Sequence, residues 1–462
     1  MKRIALIAPL TGVLLMLFGL ADRGIEVPPS AQAADLPWLY PASGQLTVPG
    51  SGALVGQSPA MPAACTNCYI TKIVPDLVYM NDPLPLDNPN GATANYNNDT
   101  NDNVWLHHMV LLDLCTGSAP IFASGNERSV FQLPTGYGYY SGPGCSWIVS
   151  YHLHNQNPSP RNVALKLLIT YETTAQTRVT PIWLDMKGIQ SGSEYVAPLG
   201  YSDSHTGETG FAPDYAMPIQ GRIVAMGGHV HDYVISVSAY NNRLGEWICT
   251  SKGGYGFGSR FLPTGGPDTP GHPAAATTET LNPAYHEPGG SPDNKYHIQS
   301  MTPCDLYSRN SVVCLNDVIR LHTQYNNADQ FPIADAMGIM TMYVANTSTN
   351  PPGVPDADND GIFDGCDSGD SDLDGFSDRV EFPVGTDSSR KCASNSLDDA
   401  WPADVNNDKF SDISDIVQIG SSFGKAVPPA PARRNIAPDP LDGFVDITDI
   451  TKIASYFGRG CT

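Results

Sequence analysis

VALKLLITY, residues 163–171, decides the fold class. Val, Ile, Thr and Tyr suit a pleated, half-buried surface, and the polar stretch Thr173 to Arg178 closes the run. The same texture recurs at Arg222 to Ala225, Val234 to Tyr240 and Ile339 to Val344, each set between clusters of Gly, Pro, Asn and Ser. Gly (44) and Pro (40) together approach a fifth of the 462 residues, which disfavours long helices and coiled coils. A mainly β chain of sandwiches is expected, and its length is too great for one core.

Lys and Arg number 25 against 47 Asp and Glu, a net charge of −22, so the surface repels phosphate backbones and nucleic acid is not an expected partner. Residues 1–33 read as a signal peptide: Lys2 and Arg3, an apolar run from Ile4 to Leu20, and a polar stretch ending Ala31-Gln32-Ala33. That run is short for a membrane span, with an uncleaved N-terminal anchor as the alternative. No later segment is apolar enough to span, so no membrane span is expected after signal removal. All ten cysteines follow the signal, which suits disulfides and a secreted, periplasmic or cell-surface location.

Residues 351–462 carry 21 acidic and 9 basic side chains, so 9 − 21 = −12 of the net charge sits in this tail. The acids have the spacing of EF-hand-like loops, whose oxygen ligands come from positions 1, 3, 5, 9 and 12 and the carbonyl at 7. Asp370, Asp372, Asp374, Phe376 (carbonyl), Asp378 and Glu381 fit, with Gly375 at the turn; so do Asp356, Asp358, Asp360, Ile362 (carbonyl), Asp364 and Asp367, with Gly361. The run 351–392 resembles thrombospondin type 3 calcium repeats, with Cys366 and Cys392 placed to clip it. Further on, Asp408, Phe410, Asp412, Asp415, Ile416, Ile419 and Phe423 recur 34 residues later as Asp442, Phe444, Asp446, Asp449, Ile450, Ile453 and Phe457. Each half reads as a loop running into an amphipathic helix, with Ile416, Ile419 and Phe423 on one face, so the pair should form one two-helix domain. Residues 400–462 thus resemble a dockerin. Its first loop is Asp404, Asn406, Asp408, Phe410 (carbonyl), Asp412 and Asp415, with Lys409 in place of the turn glycine. The second puts Pro438 and Pro440 at positions 1 and 3, keeping Asp442, Phe444, Asp446 and Asp449, with Asp439 as an imperfect substitute. The resemblance implies calcium and a cohesin-like or surface partner; a purely structural role is the alternative.

Six of the eleven histidines form three close pairs: His107-His108, His152-x-His154 and His229-x-His231. In a strand, residues i and i+2 share a face, so His-x-His offers two imidazoles to one metal. Adjacent His107 and His108 point to opposite faces of a regular strand, so joint ligation requires a bulge or different ring nitrogens. His205, His272, His286 and His297, in expected loops, and His322, on the expected strand before QYNN, read as surface or packing residues.

WLHHMVLLDLC (105–115), VSYHLHNQNP (149–158), MGGHVHDYVISVSAY (226–240) and QYNN followed by DAMGIMTMYV (324–344) resemble, as an ordered set, the copper type II, ascorbate-dependent monooxygenases, the family of peptidylglycine α-hydroxylating and dopamine β-monooxygenases. The resemblance implies two tandem jelly-roll-like β-sandwiches, here 35–175 and 176–350, with one copper in each. His107, His108 and His152 would hold an electron-storing copper, and His229, His231 and Met337 the oxygen-activating, catalytic one. Met340 and Met342 lie close by as alternatives, and His154 takes a supporting role. A thioether beside two imidazoles favours Cu(I), whereas a zinc enzyme would show a carboxylate or a third nitrogen.

The activity implied is hydroxylation of a C–H bond of a small-molecule or peptide substrate, with O2 and with ascorbate as reductant. Peptidylglycine enzymes clamp a substrate carboxylate with an arginine two residues before His-x-His and a tyrosine four after the methionine. Gly227 and Thr341 stand at those positions, which disfavours peptidylglycine. The competing reading is a non-catalytic, calcium-stabilised extracellular protein that binds copper or a surface partner.

Overall fold

Alternation of side chains along the strands builds the core and, on the opposite face, the site. In the Ser146–Asn155 strand, Trp147, Val149, Tyr151 and Leu153 are buried, while Ser146, Ile148, Ser150, His152 and His154 share the other face. The computed structural model describes residues 34–42, 44–79, 104–125, 127, 129–155, 158–188, 193–197, 200–231, 234–255, 298–304, 306, 311–327, 333–346, 355–395, 399–427 and 429–461. The signal assigned to residues 1–33 lies outside them, as do His272, His286 and His297. Among the described residues no helix is long and apolar enough to cross a membrane.

The fold is mainly β. One sheet of the first sandwich runs in the order Gly52–Gln57, Ser146–Asn155, Val104–Asp113, Ala119–Gly125. It faces Ala34–Tyr40, Arg161–Glu172, Cys68–Tyr79 and Tyr137–Ser141, which begin an 11-stranded sheet. Between them lie Leu106, Met109, Leu111, Trp147, Leu153, Ile70, Ile73, Leu165 and Leu167, all buried. The run that decided the fold class is the buried centre of the Arg161–Glu172 strand.

The chain leaves the first sandwich between Glu172 and Thr177. The Thr177–Asp185 strand touches Tyr137–Ser141 through two parallel pairs, Thr177 with Tyr137 and Arg178 with Gly138, then runs antiparallel to Ile333–Asn346 from Val179 to Asp185. Ile333–Asn346 in turn pairs with Gly221–Val230, and the six-stranded sheet containing Gly200–His205, Val318–Asn327, Val234–Asn241 and Glu246–Tyr255 covers them. Ile333–Asn346 is a shared wall. Met340, Met342 and Val344 point into the second core, whereas Tyr343 and Ala345 join the first. Tyr343 packs 4.5 Å from the Phe131 ring and donates its hydroxyl to the Ile121 carbonyl at 3.0 Å.

A third core combines the two kinds of tail repeat. Phe376, Val380 and Val384 around the Asp378–Val384 helix pack with Trp401, Ile419, Ile436, Val445, Ile453 and Tyr456. The two repeat helices are Ile413–Gly420 and Ile447–Ala454. Ile419 and Ile453 are fully buried as expected, but Phe423 and Phe457 are 56% and 58% exposed. Each helix ends at least three residues before its phenylalanine, so the helical periodicity used to place them no longer applies.

All ten cysteines are bonded: Cys65–Cys68, Cys115–Cys145, Cys249–Cys304, Cys314–Cys366 and Cys392–Cys461. Cys366 and Cys392 therefore do not close on each other: one ties the first tail loop to the second sandwich and the other joins the stretch between the Asp378–Val384 helix and Trp401 to the end of the tail. Five disulfides fit an oxidising compartment.

Candidate metal centre

His107 and His108 share a face because their strand bulges between them. His152 pairs with His108 and Leu153 with Leu106, leaving His107 as the extra residue. The ring of His107 lies 5.3 Å from that of His108 and 4.6 Å from that of His152. Nε2 of His107 and Nδ1 of His108 are buried without a hydrogen-bond partner, so the two rings offer different nitrogens. His154 stands at the edge, 4.4 Å from His152 and 4.7 Å from His107.

His229 comes from the second sandwich. It pairs with Ile339, and Val230 pairs with Gly338, so His231, one residue on, falls level with Met337. Met337 is buried on the face carrying Tyr343, opposite to Met340 and Met342 in the second core. Of the three methionines, Met337 alone is on the strand face away from the second core, at the register position level with His231. Tyr325 fixes the backbone there by donating to the Met337 carbonyl at 2.8 Å, and Tyr195 lies 2.6 Å behind Tyr325.

The two ligand sets, expected as one in each sandwich, are contiguous. The His107 and His231 rings lie 4.0 Å apart, and His108 stacks on His231 at 5.7 Å. His108 belongs to two groups whose ligand atoms all lie within 4.8 Å of one another: one with His229 and His231, the other with His107, His152 and Glu194. Closeness depends on Gly125, where an added Cβ would stand 2.6 Å from Cε1 of His229 and 2.5 Å from the His107 carbonyl.

Two carboxylates here were not found in the sequence. Glu127, in the first sandwich, accepts from Nδ1 of His229 at 2.8 Å, and neither side chain is more than 4% exposed. The backbone N–H of Gly125 also donates to Glu127 at 2.8 Å. This bond fixes the tautomer of His229 and leaves its Nε2 facing the cluster, buried and unpartnered. A signal did exist: Asp113 and Glu127 are the only acids between Val104 and Asn155. Glu194 brings Oε1 to 4.0 Å from Nδ1 of His152.

Burial holds His107 and His108 well below the usual imidazole range, with His231 as the next cause, and pushes His152 down to about 4, with His154 contributing. Neutral imidazoles keep the lone pairs a metal needs; two imidazoles with a thioether would suit copper, whereas the three imidazoles and carboxylate of His107, His108, His152 and Glu194 suit Cu(II) and zinc alike. Gly227 and Thr341, where a carboxylate clamp would stand, pair with each other in register and carry no charge. His205 and His322 lie 5.0 Å apart on another strand pair, with Glu208 and Asp203 as polar partners; His205 ends a strand rather than lying in a loop.

In the tail, three loops repeat one hydrogen-bond pattern. Asp356 accepts from the N–H of Asp360 and Gly361, Asp370 from Asp374 and Gly375, and Asp404 from Asp408 and Lys409. Lys409 adopts φ +77°, close to the +92° and +99° of Gly361 and Gly375, so the missing glycine does not prevent the turn. The trios Asp356, Asp358, Asp360 and Asp370, Asp372, Asp374 each gather within 4.8 Å. Asp364 accepts from Ala357 and Ser388, Asp378 from Ser371, and Asp367 from Gly369. Asp415 and Asp449, a methylene shorter than glutamate, close capping boxes with Asp412 and Asp446. In the fourth loop Asp442 accepts from Phe444, while Asp439 turns away to Ser377 and Arg379. The second loop fits calcium best. Both oxygens of Glu381 and one each of Asp372 and Asp374 are buried without partners. Burial, then neighbouring carboxylates, pushes Glu381 up to about 10, Asp374 to about 8 and Asp372 to about 6.

The chain matches no protein-family model and no curated protein. Solved structures similar to it include the major capsid protein P2 of bacteriophage PM2 (TM-score 0.27, 10% identity, 69% of this chain and 99% of that one). Others are a peptide-N(4)-(N-acetyl-β-D-glucosaminyl) asparagine amidase (0.32, 10%, 68% and 97%) and PNGase F, a glycosylasparaginase from Flavobacterium meningosepticum (0.31, 11%, 68% and 97%). At these TM-scores the likenesses carry no argument about the site.

Proposed function

We propose that this is a secreted, copper-dependent monooxygenase that hydroxylates a C–H bond of a small molecule or peptide, with O2 as oxidant and ascorbate as reductant. The observation that supports it most is the convergence of three buried, unpartnered imidazole nitrogens, on His107, His108 and His229, with Met337 at the register position level with His231. Bound copper would supply the one-electron chemistry, and the chain supplies geometry. Glu127 orients His229, Tyr325 holds the backbone of Met337, and burial of His229 and His231 shields those two imidazoles from water. The uncharged Gly227 and Thr341 pair leaves no anchor for a substrate carboxylate at that place, so peptidylglycine is not the substrate we favour.

In this reading calcium orders the tail, and the tail docks the enzyme to a cohesin-like or surface partner. Phe410, Ile413, Val417 and Phe423 in one repeat, and Phe444, Ile447 and Phe457 in the other, are exposed apolar side chains that support such a contact. The decisive experiment is oxygen uptake by copper-loaded protein with ascorbate over a panel of peptides and small molecules, with labelled O2 followed into product. Uptake no faster than free copper, or retention of zinc to the exclusion of copper, would contradict the proposal.

A further inference from the structure

We infer that Glu194 is a metal ligand: with His107, His108 and His152 it forms a three-imidazole, one-carboxylate site for Cu(II), completed from the second sandwich. The inference rests on reading the cluster as a copper site. Glu194 opens the Glu194–Ala197 strand, which pairs antiparallel with Ile333–Asn346. Tyr195 and Ala197 are buried and anchor that strand, while the Glu194 side chain reaches the imidazoles across the sandwich boundary. One ligand atom from each of the four residues lies within 4.8 Å of all the others. Bonds of about 2.0–2.2 Å from nitrogen and oxygen place ligand atoms roughly 3–4 Å apart around one ion, so only a small contraction is needed. Nε2 of His107 and Nδ1 of His108 are already buried with no other partner.

The register gives this ligand its meaning. Glu194 stands directly opposite Met337. With Met337 read as a ligand of the second set, that one cross-strand pair would give a hard oxygen to the first set and a soft sulfur to the second. Hard carboxylate favours Cu(II), and thioether favours Cu(I). Two coppers sharing neighbouring imidazoles would thus be held at different potentials, the first more easily oxidised than the second.

The test uses the full chain as wild type, Glu194→Gln and Glu194→Ala. Cu(II) is titrated against a competing chelator, and Cu(I) is titrated anaerobically in ascorbate. The expected result is two coppers per wild-type chain, with the Cu(II) affinity of one falling about tenfold or more in both variants. Cu(I) affinity should stay within about threefold, and a tenfold loss confined to Cu(II) raises that site's potential by about 59 mV. Wild-type protein that binds two coppers and is indifferent to both substitutions overturns the ligand assignment alone, as does an equal loss of Cu(I) and Cu(II). Wild-type protein that binds no copper overturns the copper reading together with it.

Discussion

The histidine cluster and the second tail loop meet one problem with opposite chemistry. Each packs like donors together in a buried place. The histidines settle it by staying neutral, since losing a proton removes their charge and frees a lone pair. Carboxylates have no such route: without a cation, Asp374 and Glu381 must either ionise at a cost or stay protonated to about 8 and 10. On the proposed reading the histidine cluster would stand with or without a metal, whereas the second tail loop would depend on a cation.

Calcium removal should give the largest effect and separate the two regions. For Glu381 the folded value, about 10, lies above the usual 4.5, so the folded state holds more protons between those limits. Stability of the ion-free tail then falls as pH rises through that window. With chelator at pH 8, residues 356–449 should become open to protease while the core around Leu111 and Val237 stays resistant, and protection should return toward pH 5. Equal resistance with and without chelator would break the comparison.

Next in size is His108→Ala. Because His108 lies in both ligand groups, its loss should weaken both coppers, whereas His229→Ala should weaken one. Metal analysis after dialysis checks this, and loss of a single copper from His108→Ala would show that the two sets work independently.

These two regions were legible in the sequence to different degrees, for a physical reason. Tail ligands follow one another along the chain, so spacing revealed both acidic trios, and even Lys409 did not hide the third loop. The histidine cluster is assembled across strands. His-x-His spacing showed which residues share a face, and the requirement for a bulge at His107 could be stated, but that His108 would meet His229 and His231 depends on how the sandwiches pack. Glu127 and Glu194 lie in no motif: one is tied to a histidine 102 residues away, and the other is defined by its pairing with Met337. Phe423 and Phe457 lie past the ends of their helices, where helical periodicity no longer says which way a side chain faces.

Smaller effects sharpen the contrast. Glu127→Gln should keep the fold and lower copper affinity at the His229 set by about ten- to hundredfold, since a neutral amide holds the imidazole less strongly; competition titration measures it. In the tail, Ile453→Ala should cost about 2–5 kcal/mol and Phe457→Ser less than about 0.5 kcal/mol, because only Ile453 is buried. Thermal unfolding in calcium distinguishes them, and similar losses would place Phe457 in the core after all.

X-ray absorption on the ascorbate-reduced, copper-loaded protein tests the central claim most directly. A redox copper site at the sandwich boundary predicts Cu–S scattering in the wild type, and its loss in Met337→His with copper content retained. No Cu–S scattering in the wild type, or the same signal in Met337→His, would contradict it.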